Sequence, residues 1–163
     1  MQNHAAQNGL GAMNNAALAA EIGAQIGPEI TISYNQPQLA GGADMSASEY
    51  AKMLRKILGG QLEMKNALGT HPVCVDPASC PDAISAPSPQ GEKWHDSVGH
   101  WVEDDPTVGD GAFSSPGAFG FYPWVDKTKT LYGIVARVSP TDAITSVKCG
   151  RLIRKAFVTG VAQ

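Results

Sequence analysis

A chain of 163 residues has room for one modest domain, and 43% hydrophobic with 17% charged side chains is the composition of a protein that folds around a core. The formal net charge of −3, with no basic cluster beyond a short C-terminal one, supplies little counterion-release energy, so nucleic acid is not an expected partner. No run approaches the roughly 18 apolar residues of a membrane span, and the start MQNHAAQNGLG has neither the positive nor the apolar segment of a signal peptide.

Residues 1–14 are rich in Gln, Asn, Gly and Ala and read as a flexible lead to a single domain covering 1–163. Asn15 to Ile26 places Ala, Leu and Ile on one side of a short helix closed by Gly27-Pro28. Glu29 to Tyr34 alternates Ile30 and Ile32 with polar neighbours, the period of a half-buried strand. Ser46 and Glu49 have capping-box spacing ahead of Tyr50, Met53, Leu54, Ile57 and Leu58, which predicts a helix over Ser46 to Leu58 ended by Gly59-Gly60. From Gly69 to Trp94 five of the eleven prolines forbid regular structure and predict a long excursion.

Three strands are expected at Ser97 to Glu103, Gly117 to Val125 and Thr130 to Val138, each aromatic or β-branched and bounded by turn chemistry, with a hairpin turn at Asp126 to Lys129. Ser139-Pro140 has the look of an N-cap and first helical residue. The helix that follows would bury Ile144, Val147, Ile153 and Phe157 and present Lys148, Arg151, Arg154 and Lys155 as a solvated basic face. The architecture is then α/β, in the stricter sense α+β: an antiparallel sheet of at least three strands flanked by helices.

Specific residues accompany this order. QLAGGADMSASEYAKMLRKILGG resembles the "AGG…S…(E/D)YA(K/R)(F/M)L" helix of the β-lactamase-like serine hydrolases, a family of penicillin-binding D-alanyl-D-alanine peptidases, class C β-lactamases and β-lactamase-fold esterases. SVGHWVE resembles their "YGLGWWV" strand, and GDGAFSSPGAFGFYPWVDKTKTLYGIVAR the strand pair carrying their third active-site motif. The similarity covers about three quarters of the chain, from Ile30 onward, and corresponds to the C-terminal portion of a family member with a partial β-lactamase/transpeptidase-like fold. It implies acyl transfer through a Ser-x-x-Lys nucleophile assisted by a Tyr-x-N or Ser-x-N element and a Lys-Thr-Gly or His-x-Gly strand. Relatives are periplasmic or secreted.

No serine here is followed three positions later by lysine, so the nucleophile motif is absent and the chain alone is expected to be inactive. The third motif would fall on Ser115-Pro116-Gly117 at the start of a strand, with Ser115 standing where the family has a cation or imidazole. The resemblance makes Ser115 the catalytic candidate and Pro116, Gly117, Ala118 and Trp101 the substrate-binding ones, the Ala118 N–H occupying the place of half an oxyanion hole. Ser33-Tyr34-Asn35 has the Ser-x-N form but lies too near Gly41-Gly42, and is read as a strand end and turn.

Cys74 and Cys80 read as a local disulfide, with reduced thiols the alternative; His71, His95 and His100 with these cysteines match no zinc spacing, so no metal is expected. Cys149 is read as a small buried residue, the three tryptophans as packing residues, and Gly109-x-Gly111 as a turn that implies no cofactor. Two functions follow: the C-terminal piece of a serine hydrolase, or a non-catalytic module that binds an acyl or peptide ligand or a partner chain by strand addition. Without the family's N-terminal strands, Thr130 to Val138 would be an exposed edge open to a missing N-terminal segment or to self-association.

Overall fold

The structure, a computed structural model, describes residues 2–84, 88–89 and 91–163. It is mixed α+β with antiparallel sheets, the class expected, and its contacts cluster into two compact units, 1–56 and 57–163.

The first unit holds α1 (Gln2–Gln7), α2 (Asn15–Ile26), an antiparallel pair β1 (Ser33–Tyr34) and β2 (Ala43–Asp44), and most of α3 (Ala47–Leu58). α1 lies inside the stretch read as a flexible lead, and Ala5 on it is buried. The Asn14 side chain caps α2 by accepting from Ala17 N–H at 2.9 Å. The expected strand 29–34 shrinks to two residues, because the backbone before it binds helix α3 instead. Thr31 N–H donates to Glu49 at 2.8 Å, and Lys52 donates to the Glu29 carbonyl at 3.0 Å. Half of the capping box therefore forms: Ser46 Oγ accepts from Glu49 N–H at 3.2 Å, while the Glu49 carboxylate is spent on Thr31.

The second unit is built on a six-stranded meander, every neighbour antiparallel: β3 (Val73–Cys74), β4 (His95–Ser97), β5 (His100–Glu103), β6 (Ala112–Ser114), β7 (Tyr122–Val125) and β8 (Tyr132–Val135). A one-turn helix α4 (Met64–Ala67) precedes it and α5 (Ala143–Thr159) follows. The sequence reading of three long strands is corrected in three places. The segment 97–103 breaks into β4 and β5 at Val98-Gly99, both with positive φ (47° and 84°), the two-residue turn that hairpins favour. Gly117 to Val125 begins as a turn and becomes strand only at Tyr122, while β6 precedes it in residues to which the sequence assigns no strand. Thr130 to Val138 shortens to β8. The Cys74–Cys80 disulfide forms, with Cα atoms 6.2 Å apart, and closing so short a loop contributes about 2 kcal/mol in the chain-entropy model.

Residues directly opposite in a ladder share a face. The pairings Trp101↔Ser114, Ser114↔Trp124 and Tyr122↔Val135, with Glu103↔Ala112, thus put Trp101, Glu103, Ser114, Tyr122 and Trp124 on one face. That face makes the core, where Trp94, Tyr122, Trp124 and Val147 of α5 pack together with Trp101, Val75 and Val135 around them. All three tryptophans serve packing, as expected. Helix α5 comes close because Gly150 has no side chain: a Cβ there would sit 2.5 Å from the Tyr122 ring.

Helix α5 departs from its sequence reading in three ways. Its N-cap is Asp142, whose side chain accepts from Thr145 N–H at 3.1 Å, not Ser139. Its basic face is solvated only at Lys148 and Lys155: Arg151 is partly buried and Arg154 is 1% exposed, while Ile153 and Phe157, expected inside, are 43% and 75% exposed. Cys149 is exposed rather than buried. The physical reason is Glu103, fully buried at the end of β5 and requiring a cation. Arg154 supplies it at 3.0 Å through Nη2, which also reaches Asp110 at 2.9 Å, while Nε reaches Asp110 at 2.7 Å and Nη1 the Tyr122 hydroxyl at 2.8 Å. The Tyr122 hydroxyl donates to Glu103, and Arg151 reaches Glu103 at 3.3 Å and grips Glu92 with two hydrogen bonds of 3.0 and 2.8 Å. Burial opposes the Arg154 charge, but the hydrogen bonds to Asp110 and the facing Tyr122 and Glu103 outweigh it and raise its pKa further.

Candidate functional site

Strand β6 ends at Ser114, opposite Trp101 of β5, and the chain then runs through Ser115, Pro116 and Gly117 into the β6–β7 connection. Ser115-Pro116-Gly117 is therefore a strand exit, not the strand start read from the sequence. Continuing the register, Ser115 comes level with His100 and Pro116 with Gly99, the tip of the β4–β5 hairpin. Beyond Ser115, the chain has run past the first residue of β5.

The hydrogen bonds of this exit all turn toward β7. Ser115 N–H donates to the Pro123 carbonyl at 3.2 Å, Gly117 N–H to Phe121 at 2.7 Å, and Gly120 N–H to Gly117 at 3.0 Å. Pro116 has no N–H to offer on the other side. Ala118 is exposed at the start of the turn, and its N–H has no hydrogen-bond partner among the described residues. Gly117 leaves room for the turn: a Cβ there would lie 3.2 Å from the Phe121 carbonyl oxygen, which would have to give by a few tenths of an ångström. Trp101 and Ser115 flank Ser114, so the structure brings these candidates to one end of two neighbouring strands, with Trp101 half-buried against the core cluster.

Among the described residues the site holds no activated nucleophile. No base hydrogen-bonds the Ser115 hydroxyl among the described residues, and a serine without an adjacent base stays protonated at neutral pH. The histidine level with Ser115 in register, His100, is engaged elsewhere. Its Nε2 accepts from Gly69 N–H at 3.0 Å and its ring meets Phe113 edge-on, with centroids 5.7 Å apart. Burial, with Lys129 adding repulsion, lowers its pKa to about 4, so it is neutral at physiological pH.

One residue escaped the sequence reading. Ser114 is 3% exposed, and its Oγ has no hydrogen-bond partner among the described residues, an unusual state for a buried hydroxyl. Its sequence neighbours look like turn, and nothing in the one-dimensional pattern marks it as strand. Elsewhere, Ser33-Tyr34-Asn35 is the strand end and turn expected, with Asn35 N–H donating to Gly42 at 2.9 Å. Cys74 and Cys80 are bonded to each other, which removes both thiolates from any ligand set. No family model, no curated protein and no solved structure matches this chain.

Proposed function

We propose that this chain is similar in role to the C-terminal part of a β-lactamase-like serine hydrolase, supplying the strand edge of an acyl-binding cleft while the nucleophile comes from residues outside it. The observation that carries the reading is the exit of β6. There the Ser114-Ser115-Pro116-Gly117 run passes beyond its β5 neighbour beside Trp101, on a sheet backed by the last helix. The partial β-lactamase-like fold belongs to the same proposal. Catalysis by the chain alone is not part of it, since no Ser-x-x-Lys occurs and Ser115 has no base. The test is incubation with a fluorophosphonate, a penicillin and an activated ester, followed by intact mass measurement. No stable adduct is expected; stoichiometric acylation mapped to Ser115 overturns the reading.

A second reading, a non-catalytic module that binds by strand addition, is favoured by a different observation. β8 is the last strand of its sheet, Leu131 before it is exposed, and an apolar groove of about 300 Å³ lies between β8 and α5, lined by Trp124, Ile134, Ile153 and Phe157 among others. In this reading a peptide, a missing N-terminal segment or a second copy adds along β8.

A further inference from the structure

The other flank of α5 carries a larger groove, about 890 Å³, bounded by the second half of the helix and by the loops after β5 and β7. None of Ser115, Pro116, Gly117, Ala118 or Trp101 lines it. Its walls combine apolar surface with positive charge. Leu152, Val158 and Val108, all well exposed, give it apolar surface, and Lys127, Lys148 and Lys155 stand around them.

The charge balance decides what it would hold. Three carboxylates also line the groove, and each is already engaged. Glu92 takes Arg151 and the Trp94 indole N–H at 2.9 Å; Asp110 takes Arg154; Asp126 accepts the N–H groups of Thr128 at 3.0 Å and Thr130 at 2.8 Å. The two arginines are in turn consumed by these acids and by the buried Glu103. The three lysines form no ion pair among the described residues, so the uncompensated charge of the groove is positive on a chain whose net charge is negative. Apolar walls ringed by free ammonium groups complement a molecule with an aliphatic body and an anionic head, and the volume falls within the few hundred to roughly 1,000 Å³ of ordinary ligand sites.

We propose that this groove binds a single amphipathic carboxylate of the fatty-acid class, its head on Lys148, Lys155 and Lys127 and its chain along Leu152 and Val158. The class is shared by free fatty acids and by the acidic surface of a lipid bilayer, and the proposal commits to the free molecule. The test is calorimetric titration of the full chain with monomeric dodecanoate, with amide chemical shifts read in parallel. Saturable one-to-one binding is expected, with shifts concentrated at Lys148, Leu152, Lys155 and Val158. Dodecyltrimethylammonium, with the same tail and opposite charge, is expected to bind roughly tenfold or more weakly, and the double variant K148E/K155E to weaken dodecanoate by a similar factor. Because both lysines are exposed, this variant should keep its unfolding midpoint; K127E provides an independent charge reversal on a separate loop. Equal affinity for the cationic analogue, unchanged affinity in both charge reversals, or association with phosphatidylglycerol vesicles alone would overturn the proposal.

Discussion

The two flanks of α5 solve the same problem in opposite ways. Toward β5 and β7 the helix is held by charge: Arg154 and Arg151 reach into the sheet and meet Glu103, Asp110, Glu92 and the Tyr122 hydroxyl. Toward β8 it presents Ile153 and Phe157 over an open apolar groove with no charged side chain in its lining. Apart from Val147 in the core, the helix turns its arginines inward and leaves Ile153 and Phe157 outside, a departure from the usual pattern. The difference teaches that position on this helix follows the needs of Glu103, whose burial demands a partner more strongly than any one aliphatic residue demands shelter.

The comparison breaks most sharply at Arg154. Replacing it by Met leaves Glu103 buried with its charge poorly compensated, and unfolding in urea should show a loss of about 3–5 kcal/mol. A loss below 1 kcal/mol would mean that Arg151 alone satisfies Glu103 and that the two flanks differ little. The opposite face of the sheet sharpens the contrast, because it buries a neutral base instead of a paired ion. His100 is held near 4 by burial and Lys129, whereas in the unfolded chain it titrates near 6.5. As pH falls from about 6.5 to about 4 the unfolded chain takes up a proton that the folded chain refuses. Stability should therefore drop by up to about 3 kcal/mol through this window and flatten below it. His100→Gln should remove this component from the pH–stability curve, and an unchanged slope would show that His100 does not contribute to it.

Gly150 sets how closely the charged flank can approach. The Cβ of Gly150→Ala would meet the Tyr122 ring at 2.5 and 2.6 Å and Val135 at 3.1 Å, so a loss of about 1–3 kcal/mol is expected in thermal unfolding despite the better helix propensity of alanine. The smallest effect belongs to the open flank. Ile134→Lys on the last strand, at a half-buried position, should cost about 1 kcal/mol or less while reducing any concentration-dependent association seen by sedimentation velocity. A wild-type chain that is monomeric at high micromolar concentration, with amides of 130–138 protected from exchange, removes the strand-addition reading.

What the sequence made legible is what local chemistry determines. Helices α2 and α3 follow from periodicity, with Gly27-Pro28 closing the first and Ser46 opening the second, and the hairpin turn from Asp126, whose carboxylate gathers the N–H groups of the residues behind it. The disulfide follows from two cysteines six residues apart in a proline-rich stretch. The short strands β3, β4 and β6 were not legible, because two or three residues carry no period and owe their existence to neighbours across the ladder. Nor was the burial of Arg154, which depends on Glu103 fifty-one positions earlier; composition alone reads such a basic cluster as solvated. Within the candidate site, Ser115 to Ala118 and Trp101 were placed by resemblance, while Ser114 became visible only once β5 and β6 were paired.

The order of the sheet has a consequence for how the second unit is assembled in time. Every strand pairs with the one before it in sequence, so from β4 to β8 the meander can form hairpin by hairpin, each step closing a short loop at low entropic cost, while β3 joins across the longer stretch 75–94. The clasp of α5 is the exception, joining residues 44 and 51 positions apart. It can close only after β5 and β7 have placed Glu103 and Tyr122 side by side. Docking of the last helix is then a late event in folding, and substitutions at Arg154 should accelerate unfolding far more than they slow refolding.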